Sequence, residues 1–326
     1  MLKKTDMDTV EVVKELDLSK IELGTIKKYW YNIITDALGS PICLPVLVAK
    51  GFREGPRLGI TAAVHGNELN GISIIQRLFK EINVETFTGT IIGIPVVNII
   101  SLHRKKRRFN DGRDLNRIMP GKANGNVSEV YAYRFFNDIV THFDYLLDLH
   151  TASFGRINAY YIRADMEEET TARMALLQNA QIIVHNPPSD GTLRGAADEQ
   201  GIPAITLEVG NPNTFQKGMI RSGLTGLYNI LHYLGMLKGA IERPKKKTII
   251  CERSYWIYTN RGGILSVLPN VAGFVKKGEK IALLQNVWGD QIEAITAPED
   301  GVVIGKSVNP INQTGGRILH LGILKK

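Results

Sequence analysis

Leu58-Gly-Ile-Thr-Ala-Ala-Val-His-Gly-Asn-Glu-Leu-Asn-Gly71 decides how the chain is read. Its first half, up to Val64, is apolar and β-prone and follows Gly55-Pro56, which predicts a short buried strand. From Glu68 onward, Leu69, Ile72, Ile75, Leu78 and Phe79 recur at three- and four-residue steps, which predicts a helix over 68–82. His65 and Glu68 therefore fall at a strand-to-helix turn. Three residues apart on a first helical turn, an imidazole and a carboxylate can point the same way. Such a pair begins a zinc site, which takes nitrogen and oxygen ligands and, when catalytic, has three protein ligands plus a water. Taken alone, the pair reads first as an ordinary turn histidine beside a helix-capping carboxylate. A third ligand has to come from elsewhere in the chain.

Outward from this stretch, strands alternate with helices. The sequence predicts a short surface helix over 8–20 and two strands within 21–50 around the turn Leu38-Gly-Ser-Pro41. Strands follow at 90–97, 145–149, 181–184 and 202–209, and helices at 128–143, 166–179 and within 215–237. This alternation predicts an α/β domain, a mixed and mostly parallel sheet with helices on both faces. In such sheets ligands sit beyond the carboxyl ends of strands. His65, His150 and Glu208 each fall at or near such an end. Past the polar stretch Glu242-Arg-Pro-Lys-Lys-Lys247 the helical period disappears and glycines become frequent. The expected division is residues 1–245 as the α/β domain and residues 246–326 as a small all-β domain.

The chain has 326 residues, 44% of them hydrophobic, enough for a sizeable core and two domains. No apolar run reaches spanning length, so no membrane helix is expected. Residues 1–20 are charged throughout and lack an apolar signal-peptide region. The two cysteines, Cys43 and Cys251, stand far apart and fit a reducing compartment, most simply the cytoplasm. Net charge is +8, and residues 104–117 carry seven basic against two acidic residues. That run suits anions, either substrate carboxylates or nucleic acid, and its first part equally suits a solvated loop.

Downstream residues supply what the first pair lacks. Asp148-Leu-His150 puts a second histidine at a strand end, although a lone core histidine bonded to backbone is the blander reading. Arg113-Asp-Leu-Asn-Arg117 lies in the long polar loop after residue 98, and Asp114 could hold a ligating histidine. Glu208 is a carboxylate in an otherwise apolar strand, a rare placement without a partner or a task. Near a metal it could take a proton from water. A nearby arginine could steady a tetrahedral oxyanion.

In this order, His65-Gly-Asn-Glu68, Asp114-Leu-Asn-Arg117, Asp148-Leu-His150 and Leu207-Glu208 resemble the succinylglutamate desuccinylase/aspartoacylase family of the zinc carboxypeptidase superfamily, over about residues 40–240. The resemblance implies a zinc ion held by His65, Glu68 and His150, with Asp114 orienting His65. It implies that Asn116 and Arg117 grip the substrate carboxylate and that Glu208 is general base and later acid. It points to Arg108 as the carbonyl-polarising arginine, with a spacing that needs one extra residue and leaves Arg107 as the alternative. Gly273 to Gly301 resembles the barrel-sandwich of biotinyl and lipoyl carriers, but Gly289-Asp290 stands where carriers have the modified lysine.

The expected function is zinc-dependent removal of an N-acyl group from an amino acid or similar small carboxylate. An intracellular zinc carboxypeptidase is the neighbouring alternative. A nucleic-acid-binding protein using the 104–117 run is the alternative of another class, and it lacks an aromatic platform beyond Phe109. The expected partner is thus a small acyl amino acid, with neither nucleic acid nor membrane. Assembly into a homo-oligomer stays an open expectation.

Overall fold

A computed structural model describes residues 10–189, 191–244 and 246–324. Among these residues fourteen strands form one mixed sheet. Across it the strands begin at Glu11, Thr25, Pro41, Thr88, Arg53, Tyr145, Ala204, Tyr160, Ile182, Ile249, Arg317, Gly301 and Phe274, and the short strand Arg156–Asn158 pairs with Gly301–Ser307. The centre is parallel: Thr88–Ile94, Arg53–Ala62, Tyr145–His150 and Ala204–Val209 run the same way. Antiparallel pairs flank it, with Pro41–Lys50 on one side and Tyr160–Ala164 on the other.

Alternation along these strands divides the core in two. Ala49, Ile91, Leu147 and Leu149 pack with helices Asn70–Glu81, Glu169–Leu177 and Lys217–Tyr233. Their neighbours Val48, Ile92 and Leu146 face the opposite way, onto helices Val127–Asp138 and Leu193–Glu199. Both faces of the sheet are therefore covered by helices. Full burial of each Leu or Ile contributes about 1.5–3 kcal/mol, so two such layers fix the register of the parallel centre. A shift by one residue would exchange the two sets.

The expected helix over residues 8–20 is not what forms; residues 8 and 9 lie outside the described residues. Glu11–Val13 is a strand parallel to Tyr29–Tyr31, and Leu18–Lys20 is a single 3-10 turn capped by Asp17. Val13 and Leu18 pack on the core, and ladder bonding to an existing edge outweighs a helix with no continuous apolar stripe. Strands Arg156–Asn158 and Tyr160–Ala164 and helix Leu193–Glu199 also form, where periodicity predicts no element.

The segment Ile249–Leu324 contains strands and no helix among its residues. Ile249–Cys251 pairs parallel with Ile182–Val184, so its first strand continues the large sheet. A second sheet of four strands, Gln291–Thr296, Lys280–Gln285, Gly263–Val267 and Ile311–Asn312, packs on it through Leu265, Ile281, Leu284, Val303, Leu319 and Leu321. Among the described residues no helix is long and apolar enough to cross a membrane.

Candidate active site

Register sets the site. Parallel pairing places Thr61 and Thr206 on either side of Asp148, and Glu208 beside His150. The carboxyl ends of three strands thus lie abreast. His65 follows the first of them, in a turn where Glu68 N–H donates to His65 C=O at 3.1 Å. The helix begins at Asn70, so both residues precede it rather than sit on its first turn. Gly66 is needed here: a Cβ would strike the backbone of Ser101 and Leu102, in the helix Ile99–His103.

The turn and the strand end face one another. His65 Nδ1 lies 2.9 Å from Glu68 Oε1, and His150 Nδ1 lies 2.9 Å from Glu68 Oε2. The two Nδ1 atoms are 3.2 Å apart, and all three residues are buried. Each imidazole is held from behind by a carboxylate. His65 Nε2 is 3.0 Å from Asp114 Oδ1, and His150 Nε2 is 2.7 Å from Asp148 Oδ2. Thr61 Oγ1 donates to the other oxygen of Asp148 at 2.7 Å. With a metal bound, those carboxylates would accept a hydrogen bond from Nε2–H of each imidazole and leave Nδ1 free to ligate. Two imidazole nitrogens and a carboxylate converging this way match the donor set of a three-ligand metal site, and these atoms lie close enough to share one ion.

Electrostatics follow the packing. Burial by itself would raise the pKa of Glu68, but His65 and His150 overcome it and hold the carboxylate well below its usual range. Asp114 behaves alike: burial opposes ionisation, and His65 and Arg107 together outweigh it. Burial would lower His150, yet Asp148 and Glu68 hold it well above an ordinary histidine. Glu208 differs. Burial raises its pKa and Glu68 adds to the rise, with Arg163 in opposition.

Two arginines adjacent in sequence go to different places. Arg107 Nη1 is 3.1 Å from Glu68 Oε1, 3.2 Å from His65 Nδ1 and 2.8 Å from Ser153 Oγ. Its Nη2 lies 2.9 Å from Asp114 Oδ2. Arg108 is exposed and donates to the Gly112 carbonyl at 2.8 Å. The structure therefore brings Arg107 into contact with the His65–Glu68 pair and leaves Arg108 at the rim. Asn116 accepts from Leu193 N–H at 2.7 Å through Oδ1, which ties the loop to the start of helix Leu193–Glu199. Arg117 is exposed and lines the same cavity as His65, Glu68, His150 and Glu208, a space of about 830 Å³.

Sequence reasoning missed several lining residues. Asn158 Nδ2 donates to Glu208 Oε2 at 3.3 Å, and Arg163 Nε stands 3.7 Å from Oε1. Arg163 also donates to Tyr161 Oη at 2.8 Å. Arg156, Trp256, Arg317 and His320 add a wall contributed mainly by the C-terminal strands. The available signals were charged residues inside β-prone stretches, such as Arg156 and Arg163. The spacing of Asp148 and His150 also put both on one face of a strand.

The chain is similar in sequence and in fold to several known proteins. The N-alpha-acetyl-L-2,4-diaminobutyric acid deacetylase of Halomonas elongata is 25% identical over 282 residues, 81% of this chain and 81% of that protein. A succinylglutamate desuccinylase of Pseudomonas aeruginosa is 28% identical over 182 residues, 51% of this chain and 54% of the relative. The product-bound ectoine utilization protein of Ruegeria pomeroyi shares the fold with a TM-score of 0.85 at 22% identity, over 93% of this chain and 98% of that one. A succinylglutamate desuccinylase/aspartoacylase from Rhodobacter sphaeroides gives 0.84 at 20% identity, over 96% and 100%. The succinylglutamate desuccinylase/aspartoacylase catalytic domain matches residues 54–234, and the chain belongs to that family.

Proposed function

We propose that the chain is a zinc-dependent hydrolase that removes an N-acyl group from an amino acid or similar small carboxylate. The observation that carries this reading is the buried set of His65, Glu68 and His150, each imidazole backed by its own carboxylate, in one cavity with Glu208. Zinc held by those three residues would supply Lewis acidity, acidifying water and polarising the acyl carbonyl. The chain's own groups do the rest. Glu208, raised in pKa and steadied by Asn158 and Arg163, accepts a proton from the attacking water and returns it to the departing amine. We assign charge stabilisation at the acyl oxygen to Arg107, which touches the ligand set, rather than to Arg108 at the rim. Arg117, with Asn116 fixing its loop, takes the substrate's free carboxylate as a bidentate pair. Residues 1–245 form the hydrolase unit in this reading, residues 246–326 a β-unit on the edge of its sheet, and the cytoplasm is the compartment.

The test is a screen of N-acyl amino acids on protein loaded with zinc, run beside peptides with free carboxyl ends. Hydrolysis of acyl amino acids, abolished by chelation and restored by zinc, is the expected result. Cleavage of C-terminal residues from peptides alone would make the chain a carboxypeptidase. Activity untouched by chelation would end the metal reading.

A further inference from the structure

A second cavity, of about 530 Å³, shares no lining residue with the one that holds His65, Glu68 and His150. It lies where helix Lys217–Tyr233, the loop after residue 241 and the start of strand Ile249–Tyr258 meet. Ile249 lines this cavity, and Trp256 of the same strand lines the other. At ~3.3 Å per strand residue the two stand roughly 20 Å apart.

The walls are basic. Arg221, Arg243, Lys246 and Lys247 line the cavity with one carboxylate residue, Glu242. Among the described residues none of these four cations has a carboxylate within ion-pair distance. The loop that carries three of them is pinned at both ends. Glu242 N–H donates to Asn229 Oδ1 at 2.8 Å, and its carbonyl accepts from Asn179 Nδ2 at 2.6 Å and Asn229 Nδ2 at 3.0 Å. At the far end Thr248 Oγ1 donates to the Ala180 carbonyl at 2.9 Å, and Ile249 N–H to the Gln181 carbonyl at 3.0 Å. Arg221 comes from the helix, with Thr225 one turn on. Like charges held around a concavity raise the local potential and draw anions. A loop fixed beforehand loses less freedom when an anion docks.

The lining also restricts the chemistry of the ligand. Four cations exceed what one carboxylate needs. Guanidinium forks take phosphate oxygens in pairs, and lysines add point charge. Ser222 and Thr225 supply hydroxyl donors. The volume lies within the ~300–1,000 Å³ of small-molecule sites. Ala180, Ile249 and Ala272 offer apolar surface beside the charges.

We propose that this cavity binds a small molecule carrying a diphosphate group, at a site separate from the hydrolytic centre. The diphosphate is either free or borne by a nucleoside.

Calorimetric titration of the zinc-loaded full chain with inorganic phosphate, pyrophosphate and ADP tests it, with no dependence on hydrolysis. Wild type should bind pyrophosphate at one site, at least about tenfold more tightly than phosphate, since a second charged group adds its own bonds. ADP binding more tightly than pyrophosphate identifies a nucleoside ligand; equal or weaker binding identifies the free diphosphate. Arg221→Gln and Lys247→Gln replace exposed side chains and should each weaken diphosphate binding about ten- to a hundredfold. Arg117→Ala, in the other cavity, and Lys28→Gln, exposed on strand Thr25–Thr35, should leave it unchanged. Three results overturn the site: no preference for pyrophosphate over phosphate, full affinity in either the Arg221 or the Lys247 variant, or an equal loss in the Arg117 or Lys28 variant.

Discussion

Replacing Arg107 with alanine should do far more harm than the same change at Arg108. Arg107 reaches Glu68, His65, Ser153 and Asp114 with one guanidinium. Arg108 makes one bond, to a carbonyl on an exposed loop. Removing a donor aimed at a developing oxyanion costs about 10²–10³ in kcat, roughly 2.7–4 kcal/mol. The ion pairs of Arg107 add little to stability, because its side chain is 34% exposed and screened. A second effect has to be kept apart. Arg107 also steadies Asp114, which holds His65, and losing such outer support weakens metal binding about 10–100-fold. Turnover should therefore be compared at saturating zinc, with zinc content measured in parallel. Under those conditions Arg107→Ala should lose two to three orders of magnitude in kcat. Arg108→Ala should lose less than about tenfold, in keeping with one exposed hydrogen bond worth about 1 kcal/mol. A hundredfold loss at Arg108 with near-normal turnover at Arg107 would refute the reasoning and return the role to the residue that the sequence resemblance favours.

Glu208→Gln should keep its zinc and lose roughly two or more orders of magnitude in activity; near-normal turnover would place the base elsewhere. His65→Ala and His150→Ala should each lose the metal, and unchanged zinc content in both would remove the proposed ligand set. Arg117→Ala should raise KM for free-carboxylate substrates and leave amide-capped ones nearly indifferent; equal losses on both would contradict the assignment. The hairpin turn Asn286–Asp290 carries exposed Val287 and Trp288 and no lysine. Intact mass from the native host should show neither biotin nor lipoate.

Much of the centre could be read from the chain alone. The strand Arg53–Ala62, the helix Asn70–Glu81 and the strands Tyr145–His150 and Ala204–Val209 carry their own periodicity, and His65, His150 and Glu208 stand at or just after strand ends. What could not be read depends on distant partners. Glu11–Val13 is a strand because Tyr29–Tyr31 offers an edge, not because of its own pattern. Strand Tyr160–Ala164 holds an arginine that strand logic disfavours, and the carboxylate that answers it comes from Glu208, 45 residues on. Helix Leu193–Glu199 has seven residues, too few to establish a period. Arg107 and Arg108 are neighbours of identical type, and only the packing of the loop separates them.

The strand Ile249–Tyr258 pairs through its first three residues with Ile182, Ile183 and Val184 and along the rest of its length with Arg317–Leu324, so backbone bonding joins the wall to the sheet. Hinged closure in two-part enzymes relies on a few residues that absorb the rotation. Here a rigid swing of the Trp256 side would break a ladder of backbone bonds, each worth about 1 kcal/mol. Entry and exit therefore fall to side-chain rotation and to loops such as Thr151–Gly155, where Phe154 stands 75% exposed. Such motions run in nanoseconds to microseconds, faster than domain rotations. Turnover in this architecture should be set by chemistry or product affinity and not by opening.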